Sequence, residues 1–137
     1  MEFHTGRLID HVHLRVADLD ASKRFYRAVF KALGKADVLV EAADHFSADE
    51  LWADKADGDV SRVHLAFQAA DRTMVGAFYR AALEAGGRDH GGPGERSYHP
   101  GYYGAFVLDP DGNNIEAVFH GPATRSAASV IITPAAP

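Results

Sequence analysis

The sequence predicts an α+β fold built from two tandem β-α-β-β-β modules in a chain of 137 residues. Three observations carry this. Residues 9–16 alternate apolar and polar positions, as a half-buried strand does, and an amphipathic helix pattern follows to about Leu33. The same order returns from residue 62. A shift of 53 residues puts His11 on His64, Asp18 on Asp71, Phe25-Tyr26-Arg27-Ala28 on Phe78-Tyr79-Arg80-Ala81, and Gly34 on Gly87. Finally, two short apolar runs, 104–108 and 115–119, flank Asp109-Pro110-Asp111-Gly112-Asn113-Asn114, which reads as a turn between antiparallel strands.

The elements follow in order. Residues 1–8 form a short arm ahead of the first strand. Asp18 or Asp20 caps the first helix, whose stripe is Phe25, Val29, Phe30 and Leu33, and Gly34 ends it. Residues 37–41, Phe46 and the Leu51-Trp52 pair mark three further strands, with a polar turn at 53–59. The second module opens on a strand at 62–67. Its helix runs from Asp71 to about Ala85 and closes at Gly86-Gly87. Residues 88–101 are rich in Gly, His and Pro and read as a loop or irregular strand, where binding contacts often sit. The first module thus spans about 8–60 and the second 61–120. The stretch 121–137 is a tail in which only 130–133 has strand character.

Composition narrows the function classes. Apolar content of 47% and charged content of 24% suit a soluble globular domain. A net charge of -5 argues against a nucleic-acid partner, which needs a basic patch. With no cysteine there is no disulfide, thiolate metal site or Cys nucleophile. No apolar run reaches the ~18 residues of a membrane span, so no membrane partner is expected. The start lacks signal-peptide character, and a cytoplasmic location is the expectation.

Strand alternation sorts the polar residues. Val12, Leu14 and Val16 share one face; His11, His13 and Arg15 share the other. Leu65 and Phe67 oppose His64, Ala66 and Gln68. Ile115, Ala117 and Phe119 oppose Glu116, Val118 and His120. A carboxylate among apolar neighbours is costly without compensation. Glu116 therefore reads either as an exposed residue on a half-solvated sheet or as a metal ligand or base. Two imidazoles and one carboxylate, His11, His64 and Glu116, are the donor set of a divalent transition-metal site; Fe, Zn, Mn, Ni and Co all accept it. His13 competes with His11 as ligand. Glu50 falls roughly where Glu116 falls in the other module. Glu50, His13 and His99 are the candidate acids or bases. Trp52, Tyr102, Tyr103 and Phe106 are candidate aromatic walls for a small-molecule substrate, with ordinary packing as the alternative for each.

Several stretches resemble the vicinal oxygen chelate superfamily of glyoxalase I, bleomycin-resistance proteins and extradiol dioxygenases. They are the Asp10-His11 strand, the Phe25-Tyr26 helix, Val63-His64-Leu65, and the run from Gly104 through Asp109-Pro110-Asp111-Gly112 to Glu116. The resemblance covers about residues 8–120. It implies an eight-stranded cup around a divalent metal held by His11, His64 and Glu116. It also implies a metal-dependent lyase or dioxygenase acting on a small oxygen-bearing substrate. A non-catalytic drug-binding protein and a glutathione-dependent lactoylglutathione lyase are the alternatives. The lyase resemblance calls for a second carboxylate late in the first module, which only Glu50 offers. In this superfamily the cup closes within one chain or across a homodimer.

Overall fold

A computed structural model describes all residues, 1–137. Both modules are present. In the first, β1 (Val12–Val16) leads into α1 (Leu19–Ala32). A single 3-10 turn (Ala36–Val38) follows, then β2 (Leu39–Glu41), β3 (His45–Ala48) and β4 (Leu51–Lys55). In the second, β5 (His64–Gln68) leads into α2 (Arg72–Glu84). The short β6 (Arg88–Asp89) and β7 (Gly94–Glu95) precede the hairpin of β8 (Tyr103–Leu108) and β9 (Asn114–Phe119). The first strand is shorter than the alternation predicts, and 130–133 pairs with nothing. No helix is long and apolar enough to cross a membrane.

The helices begin where short acidic side chains can cap them. Asp18 accepts from the Ala21 amide at 3.0 Å, and Asp71 accepts from the Met74 amide at 2.8 Å. Each sheet contains one parallel pair, β1 with β4 and β5 with β9, at equivalent places in the two modules. The first sheet has the order β1-β4-β3-β2. The second has β5-β9-β8, with both β6 and β7 paired to β8. The strand expected between helix and hairpin is thus split in two, because the glycine-rich segment between β6 and β7 leaves the sheet.

A single core joins the modules. Leu14, Val16, Phe46 and Ala53 of the first sheet, Val107, Ile115 and Ala117 of the second, and Phe25, Val29 and Phe78 of the helices are all fully buried in one cluster. Both sheets therefore turn their apolar faces inward to the same helices. Their polar faces, carrying His13 on one sheet and Glu116 on the other, point away from that shared core. The strands form two sheets in one chain, four strands and five, with no pairing between β1 and β5.

The turn after β8 fastens the modules together. Asp109 is 1% exposed. Its carboxylate accepts from the amides of Asp111 and Asn113 at 2.9 and 2.8 Å, and from the Asn113 side chain at 2.9 Å. The Tyr26 hydroxyl of α1 reaches it at 2.6 Å. Asn113 in turn accepts from the Val63 amide at 2.8 Å, which sets the entry to β5. Asp111 accepts from the Ala17 amide at 3.1 Å, at the end of β1. The Asp-Pro-Asp-Gly-Asn stretch is thus a structural clasp, and the chemistry-bearing residue lies just past it.

Candidate metal centre

Glu116 sits mid-β9 with 1% of its surface exposed. It lies on the face opposite Ile115 and Ala117, so burial here comes from neighbours on the outer face of the sheet. One carboxylate oxygen, Oε1, lies 2.8 Å from Nε2 of His64, the first residue of β5. The other, Oε2, accepts a hydrogen bond from the Tyr102 hydroxyl. Burial, then this carboxylate, push the Tyr102 phenol well above its ordinary value. Tyr102 is itself held edge-on by the rings of Tyr98, His99 and His120, at centroid distances of 4.9, 5.3 and 5.1 Å. Gly104 makes room for this arrangement. A Cβ there would stand 3.0 Å from Glu116 Oε2.

Phe106, paired across the ladder with Glu116, lies 5.8 Å from the His64 ring and floors a cavity of about 290 Å³. His90, Gly91, Arg96, Tyr98 and Asn114 complete its lining. A second, larger cavity of about 430 Å³ lies on the polar face of the first sheet. It is lined by His11, His13, Ser47, Asp49, Leu51 and Trp52. There the His13 ring nitrogen Nε2 is 2.7 Å from Asp54 Oδ1, and that contact draws the Asp54 carboxyl below its usual range. Trp52 stacks on His45 with centroids 4.0 Å apart.

The structure thus brings His64, Glu116, Tyr102 and Phe106 together, and separately brings His11, His13 and Trp52 together. No group of three or more His, Asp or Glu side chains converges on one point within the chain. His11 is exposed and bonded to Asp10 at 2.6 Å. The reason is the shared core: each sheet points its polar face outward, so His11 and the His64–Glu116 pair stand on different surfaces.

Three of the expected residues stand away from the His64–Glu116 pair. Tyr103 lies on the other side of its strand from Tyr102. It begins β8 one residue after Tyr102, so it points to the core side, where Arg72 of α2 stacks on it at 4.7 Å. Glu50 does not hold the place of Glu116. In the ladders Val12 faces Leu51 and Leu65 faces Ile115, so the repeat places Trp52, not Glu50, at the Glu116 position. Glu50 is exposed on the turn before β4, and its neighbour Asp49 lines the cavity instead. His99 is bonded to Pro100 O and to His120 Nδ1, at 2.8 and 2.9 Å. It braces Tyr102 from behind and makes no hydrogen bond to Glu116. Of the residues missed, Arg96 had the clearest signal, as a cation within the glycine-rich stretch read as a binding loop.

Two βαβββ modules, each with a parallel strand pair and a histidine at or just before its first strand, define the class of fold. Residues 8–117 match the model of the Glyoxalase/Bleomycin resistance protein/Dioxygenase superfamily, and the chain belongs to that family. It is similar to a glyoxalase/bleomycin resistance protein from Albidiferax ferrireducens, at 28% identity and a TM-score of 0.66 over 80% of this chain and 95% of that one. It is similar also to Oxidase ChaP-H1, at 26% identity and a TM-score of 0.59 over 82% and 95% of the two chains. A lactoylglutathione lyase from Agrobacterium tumefaciens shares the fold at 23% identity and a TM-score of 0.59, over 82% and 93%. No curated protein matches the chain.

Proposed function

We propose that this chain is a metal-dependent enzyme acting on a small oxygen-bearing substrate, with each site assembled from two copies. His64 and Glu116 of one copy and His11 of the second would hold one divalent ion. The carrying observation is the Glu116 carboxylate, buried on the outer face of its sheet, with one oxygen at an imidazole and the other tied down by Tyr102. A buried carboxylate needs compensation, and an imidazole-carboxylate set suits a transition metal. Gly104 keeps space beside it, and half of the His64 side chain remains open to solvent.

Assembly from two copies follows from the outward polar faces. A second copy that lays its first module over the second module of its mate would bring His11 to the pair and close both cavities into one cup. Apolar residues left exposed support a covered surface: Ile9 is 59% exposed and Val40 58%. Such a dimer would carry two equivalent sites by symmetry.

When bound, the ion would supply Lewis-acid stabilisation of a substrate oxyanion, or in the iron case a place to organise substrate and O₂. The chain's own groups do the rest. Tyr102 fixes Glu116 Oε2, and Oε1, which meets His64 Nε2 at 2.8 Å, would be the oxygen offered with that imidazole to the ion. Phe106 and Val118, both nearly buried, keep water from the carboxylate. His13, oriented by Asp54, would present the acid or base from the other copy. With Trp52 in the place of a second Glu116, the glutathione-dependent lyase reading lacks its fourth ligand and is not favoured. Metal analysis of the purified protein beside His64→Ala tests the proposal: metal in the first and little in the second supports it, and equal content in both removes it.

A drug-binding, non-catalytic role is the second reading. It is favoured by Trp52, which lines the larger cavity and is held flat by stacking on His45. It requires aromatic ligands to bind equally well after chelation, whereas the first reading requires binding to weaken.

A further inference from the structure

We propose that Arg96 is an anion-binding residue, and that the substrate carries a carboxylate or similar planar anion which docks on it beside the metal centre. The inference rests on the proposed site, because the Arg96 cavity shares Phe106 with it. Arg96 lines that cavity with its guanidinium 5.3 Å over the Phe106 ring. It is held there by its own loop. Nη2 donates to Gly92 O at 2.7 Å, and Nη1 donates to Glu95 O at 3.2 Å. Glycines permit the pose, since a Cβ on Gly94 or Gly91 would come within 3.0 or 3.4 Å of its nitrogens.

What this cation lacks is a carboxylate. Glu95, next in sequence, turns to the other side and pairs with Arg72 at 2.8 Å. Arg96 forms no ion pair in the chain, although the chain is net acidic. A guanidinium has five N–H donors, and two are used on backbone carbonyls. The rest form a fork matched to a planar anion. The cavity walls suit the remainder of such a molecule: Phe106 and Tyr98 are aromatic, and His90 and Asn114 are polar. A ligand anchored on Arg96 and lying along Phe106 points toward His64, whose ring is 5.8 Å from that of Phe106.

The test uses metal-free full-length protein, so it does not depend on the metal reading. Benzoate and its neutral isostere benzamide are titrated at neutral pH, followed by calorimetry and by the Arg96 side-chain NMR signal. Benzoate is expected to bind and shift that signal, with benzamide about tenfold or more weaker. Arg96→Gln is expected to lose benzoate by a similar factor and to keep the wild-type spectrum elsewhere. Equal binding of the two probes, or unchanged benzoate binding by Arg96→Gln, overturns the proposal. So does an Arg96 signal already locked in an ion pair with a carboxylate of a second copy. Metal content of the same variant, measured separately, is expected to be unchanged. Loss of metal there overturns the separation of the anion site from the metal ligands. Failure of the metal reading itself would show in His64→Ala and leave the benzoate result standing.

Discussion

The Tyr26 hydroxyl donates to Asp109 Oδ2 over 2.6 Å, linking the first helix to the turn that launches β9. Both residues are buried, and Tyr26 also packs edge-on against Phe25 at 4.9 Å and lies 5.5 Å from Phe46. One phenol thereby joins the core of the first module to the polar clasp of the second. The position of Glu116, seven residues after Asp109, depends on that clasp.

Tyr26→Phe keeps the ring and removes the donor to a buried carboxylate. A hydrogen bond to a charged group is worth about 1.5–3 kcal/mol. Urea unfolding should show a loss of about 2 kcal/mol with little change in slope. Unchanged stability would mean that Asp109 is satisfied by the turn amides alone.

The same phenol predicts an alkaline dependence. Burial, with Asp109 beside it, raises the Tyr26 pKa well above its ordinary value of about 10. Above pH 10 the unfolded chain loses the tyrosine proton while the folded chain keeps it. Folding then binds more protons than unfolding, and stability falls as pH rises. The stabilising contribution is complete below about pH 10 and is lost through the alkaline range. Tyr26→Phe should show a shallower decline than wild type from pH 10 upward, measured by urea midpoints.

Much of this was legible from residue order. The duplicated register, the caps Asp18 and Asp71, and the faces of β1, β5 and β9 follow from alternation and short-range chemistry. Tyr102 and Tyr103 cannot be told apart in sequence, because two adjacent tyrosines at a strand start cannot both face the cup, and only the first paired residue decides which does. The counterpart of Glu116 in the first module is not legible in sequence, because the modules differ in length before their last strand and the repeat aligns there only through the ladder. That His11 stands apart from Glu116 could not be read at all. It depends on both sheets sharing one set of helices, a long-range packing outcome that strand patterns do not encode.

Gly87 lies just past the end of the second helix, where three groups meet. A Cβ there would press into Val107 Cγ1 and lie 2.7 Å from Ala82 O and 2.8 Å from Phe25 Cε2. Overpacking of this kind costs about 1–3 kcal/mol. Gly87→Ala should lower the unfolding midpoint accordingly, whereas Gly58→Ala meets no neighbour and tests only its backbone angle.

Tyr102→Phe keeps the aromatic packing against Tyr98, His99 and His120 and frees Glu116 Oε2. Loss of a group that orients a ligand typically weakens metal binding about 10–100-fold. Competitive titration with a chromophoric chelator should show that drop, and cobalt substitution should show an altered visible spectrum. Wild-type affinity and spectrum together would mean that Tyr102 does not orient the carboxylate.

A site shared between copies is tested most directly by mixed dimers. His11→Ala and Glu116→Ala proteins, each pure, should bind almost no metal. Co-expressed and purified as the heterodimer, they leave one site with both changes and one with neither, so one metal ion per dimer should return. Heterodimers that remain metal-free, or a His11→Ala homodimer that binds metal as wild type does, would contradict the shared site.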